Sequence, residues 1–106
     1  MGYYSKIKNE QVDAFFEAIL QLKNSEECYR FFEDICTIKE IQSIAQRLQV
    51  AKLLRLNKTY NEIEAETGAS TATISRISRA LNYGADGYSI ILDRLGYPKK
   101  EKIEEE

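Results

Sequence analysis

Apolar residues recur along this chain at intervals of three and four, the spacing that gathers them on one side of an α-helix. Val12, Phe15, Phe16, Ile19 and Leu20 keep it, which predicts a first helix from about Asn9 to Leu22. A second, capped by Ser25 and running to Cys36, would bury Cys28, Phe31, Phe32 and Ile35. The third opens at Thr37-x-x-Glu40, a capping box in which each side chain satisfies the other's free backbone N–H. It continues to Leu56, with Ile41, Ile44, Ala45, Leu48, Leu53 and Leu54 as its apolar positions. Helices four and five fall within 59–83. A sixth, from about Asp86 to Leu95, stops at Gly96 with Pro98 beyond. No strand is predicted. The pattern describes one all-α domain of six helices over residues 1–100, followed by an acidic tail, 101–106, expected to be disordered.

The segment 59–83 has the most specific layout. Thr59 and Glu62 make another capping box. Gly68 stands where the first of the two helices must stop and the chain must turn, a place where a residue without Cβ costs least. Ser70 then caps the next helix. Ile63, Ile74 and Ile77 fall on inward faces and Leu81 extends their stripe. Thr71, Ala72, Thr73 and Ser75 are left at the open N-terminal end. They are small enough for close approach to base edges, and their hydroxyls can serve bases or phosphates. Arg76 and Arg79 suit phosphate, or guanine if the tilt permits. This is the arrangement of a helix-turn-helix, whose second helix enters the major groove of double-stranded DNA. The competing interpretation is a plain αα-hairpin inside a helical domain. The run Ala72-Thr73-Ile74-Ser75-Arg76 favours DNA, because a buried hairpin has little use for a face so free of large apolar groups.

Composition narrows the chemistry. A chain of 106 residues that is 43% hydrophobic can build one domain with a modest core. No segment approaches the ~20 apolar residues of a membrane span. The N-terminal stretch is charged and lacks both a signal-peptide pattern and the full myristoylation pattern, so a cytoplasmic protein without a membrane partner is expected. Two cysteines and no histidine make a Cys–His or Ser–His device impossible and a metal site poor. Cys28 and Cys36 are expected to point inward from one helix, two turns apart and beyond disulfide reach. No Gly-rich phosphate loop occurs. Neither an enzyme, a metal nor a cofactor is expected.

A net charge of −2 looks wrong for a DNA-binding protein, but the charge is unevenly placed. Residues 39–58 carry Lys39, Arg47, Lys52, Arg55 and Lys58 against Glu40 alone, just ahead of the helix-turn-helix, where they could flank phosphate. A solvated helix face is the ordinary alternative. Phe15, Phe16, Phe31, Phe32 and the run Ile90-Ile91-Leu92 are more apolar bulk than a body this size can cover. A homodimer with interlocked first and last helices would bury them, and its two-fold axis would set two recognition helices about one DNA turn apart. The alternative is a monomer with ordinary apolar surface.

The order of helices, and Ile41 through Tyr83 in particular, resembles the Trp repressor superfamily, most closely its small YerC/YecD branch of Trp repressor-like proteins. Ala45-Gln46-Arg47-Leu48 on the long helix, Gly68-Ala69, and Ala72 through Arg76 carry the resemblance, which covers nearly everything except the tail. It implies an intertwined all-helical homodimer that represses transcription from operator DNA. In the Trp repressor two arginines sandwich the indole ring of the corepressor, and Arg47 and Arg76 fall at those positions. The following residue, a glycine in the Trp repressor, is Ile77 here. A branched side chain occupies volume the ligand needs, and packing both into one core costs ~1–3 kcal/mol. The expectation is therefore a regulator that does not answer to tryptophan, with Ile77 holding the recognition helix permanently at a DNA-competent angle. On the first helix of the motif, where the Trp repressor has arginine and lysine, Asn61 and Glu64 stand instead, so Asn61, with Ser70 at the cap, joins the expected DNA contacts and the tryptophan operator is excluded as target.

Arg47 and Arg76 keep three interpretations: phosphate contacts, a site for a different small-molecule effector, or surface arginines paired with a carboxylate such as Glu40 or Glu62. Three function classes follow. They are a dimeric sequence-specific DNA-binding regulator, a repressor dependent on a small molecule other than tryptophan, and a helical interaction module with no DNA role.

Overall fold

The structure is a computed structural model that describes residues 3–99; the predicted disorder of 101–106 lies outside them. Six helices and no strand occur among the described residues: α1 (Glu10–Ile19), α2 (Ser25–Ile35), α3 (Ile38–Arg55), α4 (Tyr60–Thr67), α5 (Thr71–Tyr83) and α6 (Gly87–Arg94). They fall into two compact units that divide between Ile38 and Lys39.

In the N-terminal unit, α1 starts where the Asn9 side chain accepts from the Val12 N–H at 2.9 Å. It ends three residues earlier than predicted, because Gln21 and Leu22 bond to carbonyls only three residues back, a tighter winding than an α-helix allows. Asn24, and not Ser25, caps α2, accepting from the Glu27 N–H at 2.9 Å; Ser25 is already helical. Asparagine is as good a cap as serine, and it sits one residue nearer the turn. Phe15, Phe31 and Phe32 meet along a single seam, with ring centroids of Phe15 and Phe31 6.1 Å apart. Neither helix has a buried residue. Two helices on their own cover only the seam between them, so Cys28, Ile35 and Phe16 stand exposed and Leu20 is 80% exposed. The inward placement expected for Cys28 and Ile35 does not occur.

In the C-terminal unit, Val50, Ala51, Leu53, Ile63, Ala69, Ile74, Ile77 and Leu92 form one buried core, with Leu54, Leu56, Leu81, Tyr88 and Tyr97 packed against it. Half of the expected α3 positions are corrected. Ile44, Ala45 and Leu48 are exposed, while Val50 and Ala51, which were not expected inside, are fully covered. The C-terminal half of α3 is covered on more than one side, so adjacent residues 50, 51, 53 and 55 are all buried and no single stripe describes it.

Arg55 is the buried charge of this core. Its Nη1 donates to Asp93 Oδ1 and to the Tyr97 carbonyl, both at 2.8 Å. Lys52 places its Nζ 4.5 Å from the Tyr97 ring centroid, within cation–π range. These bonds fasten the end of α6 to α3. Two of the five cations expected to face phosphate are therefore engaged inside the fold; Lys39, Arg47 and Lys58 remain exposed. The α6 helix begins one residue after Asp86, whose left-handed backbone directs no side-chain bond to the helix end, and it stops before Gly96 at φ +92°.

Candidate nucleic-acid interface

Local chemistry builds the α4–turn–α5 unit step by step. Thr59 Oγ1 accepts from the Glu62 N–H at 3.1 Å while Glu62 Oε1 accepts from the Thr59 N–H at 2.8 Å, which completes the predicted capping box. The Thr59 backbone N–H, then the Thr59 side chain and the Lys58 charge, hold the Glu62 carboxyl below its ordinary range. Glu62 is thereby tied to its own helix start instead of an arginine. At the other end Gly68 adopts φ +74° and its N–H bonds to the Glu64 carbonyl at 2.9 Å. A Cβ at this position would meet nothing within 4 Å, so the torsion alone, and no steric contact, calls for glycine. Thr67 donates to the Ile63 carbonyl at 2.7 Å and accepts from the Ala69 N–H at 3.1 Å, closing the turn.

Ser70 caps α5 as predicted. It accepts from the Thr73 N–H at 3.2 Å and donates to Thr73 Oγ1 at 3.0 Å. Ile63 and Ile74 are fully buried and Ile77 is 3% exposed, so the three isoleucines lock the two helices to each other and to α3. Opposite them, Thr71, Ala72, Ser75, Arg76 and Arg79 are exposed, and they lie on one stripe at helical spacing. Asn61 is exposed on α4, and Thr73 is half-buried beside its cap partner.

The expected group of Arg47, Arg76 and Ile77 does come together. With Ser43, Gln46, Thr73, Ala80 and Tyr88 they line a cleft of about 370 Å³ between α3 and α5. Next to it Ile44, Leu48, Ala80, Tyr88 and Ile91 form a shallower, mainly apolar groove of about 530 Å³. A helix-turn-helix locked by isoleucines, a long preceding helix that contributes one arginine of a pair, and a sixth helix fastened back onto it are the combination seen here.

A family model described as Trp repressor protein matches residues 10–96. The chain belongs to the Trp repressor family. It is 61% identical over 90 residues to the uncharacterized protein YerC of Bacillus subtilis (strain 168), an alignment that covers 85% of this chain and 86% of that one. Among solved structures, a Trp repressor candidate of Staphylococcus aureus superposes with a TM-score of 0.84 at 54% identity, over 90% of this chain and 95% of that one. A TrpR-like protein of Eubacterium eligens ATCC 27750 gives the same TM-score at 56% identity, over 90% and 98%. No helix among the described residues is long and apolar enough to cross a membrane.

Two residues of this Trp repressor-family site escaped the sequence reading. Gln46 sends its Nε2 to the Thr67 carbonyl at 3.0 Å, which fastens α3 to the turn of the motif. The signal was partial: Gln46 lies two turns before Leu53, an expected core position, on the same helix face, and a polar residue on a buried face implies a hydrogen bond. Tyr88 reaches the cleft from α6, and nothing local in the sequence announces it.

Proposed function

We propose that this protein is a sequence-specific DNA-binding transcriptional regulator, a repressor that acts as a homodimer through α4 and α5 and does not require tryptophan. The observation that carries the proposal is the exposed stripe Thr71, Ala72, Ser75, Arg76 and Arg79 on a helix whose other side is locked by Ile74 and Ile77. Small residues lead and cations follow, an order suited to entering a groove between two phosphate backbones. Membership of the Trp repressor family supports the same role, and supports a regulator over an enzyme. The exposed apolar residues of α1, α2 and α6 support a dimer with intertwined protomers, within which 1–100 would act as one domain.

Independence from tryptophan rests on Ile77. Its side chain is core, so the helix angle is maintained by protein instead of by ligand. The test is selection of randomised double-stranded DNA on the purified protein with no added ligand, followed by sequencing. An enriched palindrome supports the proposal; no enrichment at low salt removes it. An Ile77→Gly variant that remains folded is expected to bind the enriched site about tenfold or more weakly, because glycine both empties the core and loosens the helix. Unchanged affinity would refute the locking role.

The cleft between Arg47 and Arg76 favours a second reading, a repressor that needs a different small molecule. Enrichment that appears only after addition of a cell extract's small-molecule fraction would select it. A helical interaction module without DNA binding is the reading left if neither condition enriches a sequence.

A further inference from the structure

We infer that the recognition helix identifies its half-site chiefly through thymine methyl groups, with α5 reading T·A pairs by methyl contact and leaving the arginines to the backbone. This rests on the regulator reading above and adds what that interface reads.

The argument is one of elimination on a single helix face. Of the residues at the leading end of α5, Ser70 both accepts and donates within the cap, and Thr73, which accepts from Ser70 and keeps only its hydroxyl proton, is half-buried. Thr71, Ala72 and Ser75 remain exposed at the tip. None of them has the paired donors or acceptors that distinguish guanine or adenine by two hydrogen bonds, which takes arginine, lysine, asparagine or glutamine. The single hydroxyls of Thr71 and Ser75 can bond to more than one base or to phosphate and so discriminate little, whereas Thr71 and Ala72 also present a methyl group each, on short side chains that let the backbone approach the base edges. The group in the major groove that answers a methyl is the C5 methyl of thymine.

Arg76 and Arg79 stand about one and two turns behind the tip, so they reach outward to the walls of the groove while the tip is seated. Phosphate is the partner that position offers, and phosphate carries no sequence information. Asn61, at the start of α4, lies on the helix that crosses the backbone in this motif.

The experiment uses the full chain and the sequence enriched from randomised DNA. Each thymine of one half-site is replaced in turn by deoxyuridine, which removes the C5 methyl and leaves every Watson–Crick hydrogen bond intact. One or two positions are expected to lose at least about threefold in affinity, the value of a buried methyl group. Thr71→Ser or Ala72→Gly, each deleting one protein methyl, should bind more weakly and lose the sensitivity to deoxyuridine at its own position. Arg79→Ala should weaken all sequences alike and flatten the salt dependence. An enriched site indifferent to deoxyuridine, with G·C pairs whose replacement abolishes binding in an Arg76-dependent way, would overturn the inference and leave the regulator reading standing. Failure to enrich any sequence would remove both.

Discussion

The two units of this chain carry similar helical patterns and end up differently buried. Phe16 on α1 and Leu20 at its C-cap stand four residues apart and Ile74 and Ile77 on α5 three, both spacings that keep a pair on one helix face, yet the first pair is 45% and 80% exposed and the second is within the core. The pattern states which face of a helix will be covered; it does not state by what. For α5 the cover is α3, α4 and α6 of the same chain. For α1 and α2 the contact is a seam that includes Phe15 and Phe31, and Phe16, Leu20 and Ile35 remain exposed.

The most damaging change is expected in the buried region. Ile74→Ala removes a fully covered side chain where α4 and α5 meet and should cost about 3 kcal/mol, because surrounding helices fixed at both ends cannot close the cavity. Urea titration gives the number, and a loss below ~1 kcal/mol would mean the core is less tightly packed than its burial implies.

The corresponding change in the exposed region should do little to a lone chain and much to an assembly. Leu20→Glu alters a residue mostly in water, so folding of a monomer should shift by no more than ~0.5 kcal/mol. If a second copy covers this face, the variant instead halves the sedimenting mass and abolishes the rise of melting temperature with protein concentration. Wild-type protein that sediments as a monomer would end the idea that two copies complete the N-terminal unit.

The same contrast explains what could be read from the sequence. The helix-turn-helix was legible almost residue by residue: Thr59 with Glu62, the turn at Gly68, the Ser70 cap and the three isoleucines all stand where their local chemistry puts them. Each is decided within four residues, where spacing and geometry coincide. The errors fall where burial depends on distant chain. Cys28 and Ile35 have helical spacing but no neighbour to cover them. Val50 and Ala51 are buried because α3 is enclosed by helices as far along the chain as α6, which no stripe on α3 can reveal. Arg55 looked like one more surface cation, and its partners, Asp93 in α6 and the Tyr97 carbonyl just beyond it, lie far along the chain. In the candidate site, Arg47 and Arg76 could be brought together only through family resemblance, whereas the exposed face of α5 followed from its own periodicity.

Caps give a smaller and more local test. Ser70→Ala removes the acceptor for the Thr73 N–H and frees the Thr73 hydroxyl, at a cost of ~1 kcal/mol. Its distinctive mark should be fraying confined to the first turn of α5, seen as faster amide exchange at Thr71 to Thr73 while Ile77 stays protected. Loss spread evenly through both units would contradict a cap that acts only on its own helix.

The weakest effect expected is electrostatic and belongs to the other cap of the motif. The Thr59 N–H, the Thr59 side chain and the Lys58 charge all favour ionised Glu62, so its carboxyl titrates lower in the folded protein than the ordinary 4.5. A depressed carboxyl contributes stability that is fully present above its unfolded pKa and disappears as pH falls through the folded one. Glu62→Gln keeps an acceptor for the Thr59 N–H and removes only the charge. Wild type should therefore be slightly the more stable at a pH of about 7, with the gap closing below ~4.5. Because Glu62 is solvent-exposed, added salt should shrink the gap at neutral pH as well. A gap that widened in acid would mean that the cap prefers protonated Glu62, and the ionised capping box would be the wrong description of how this helix begins.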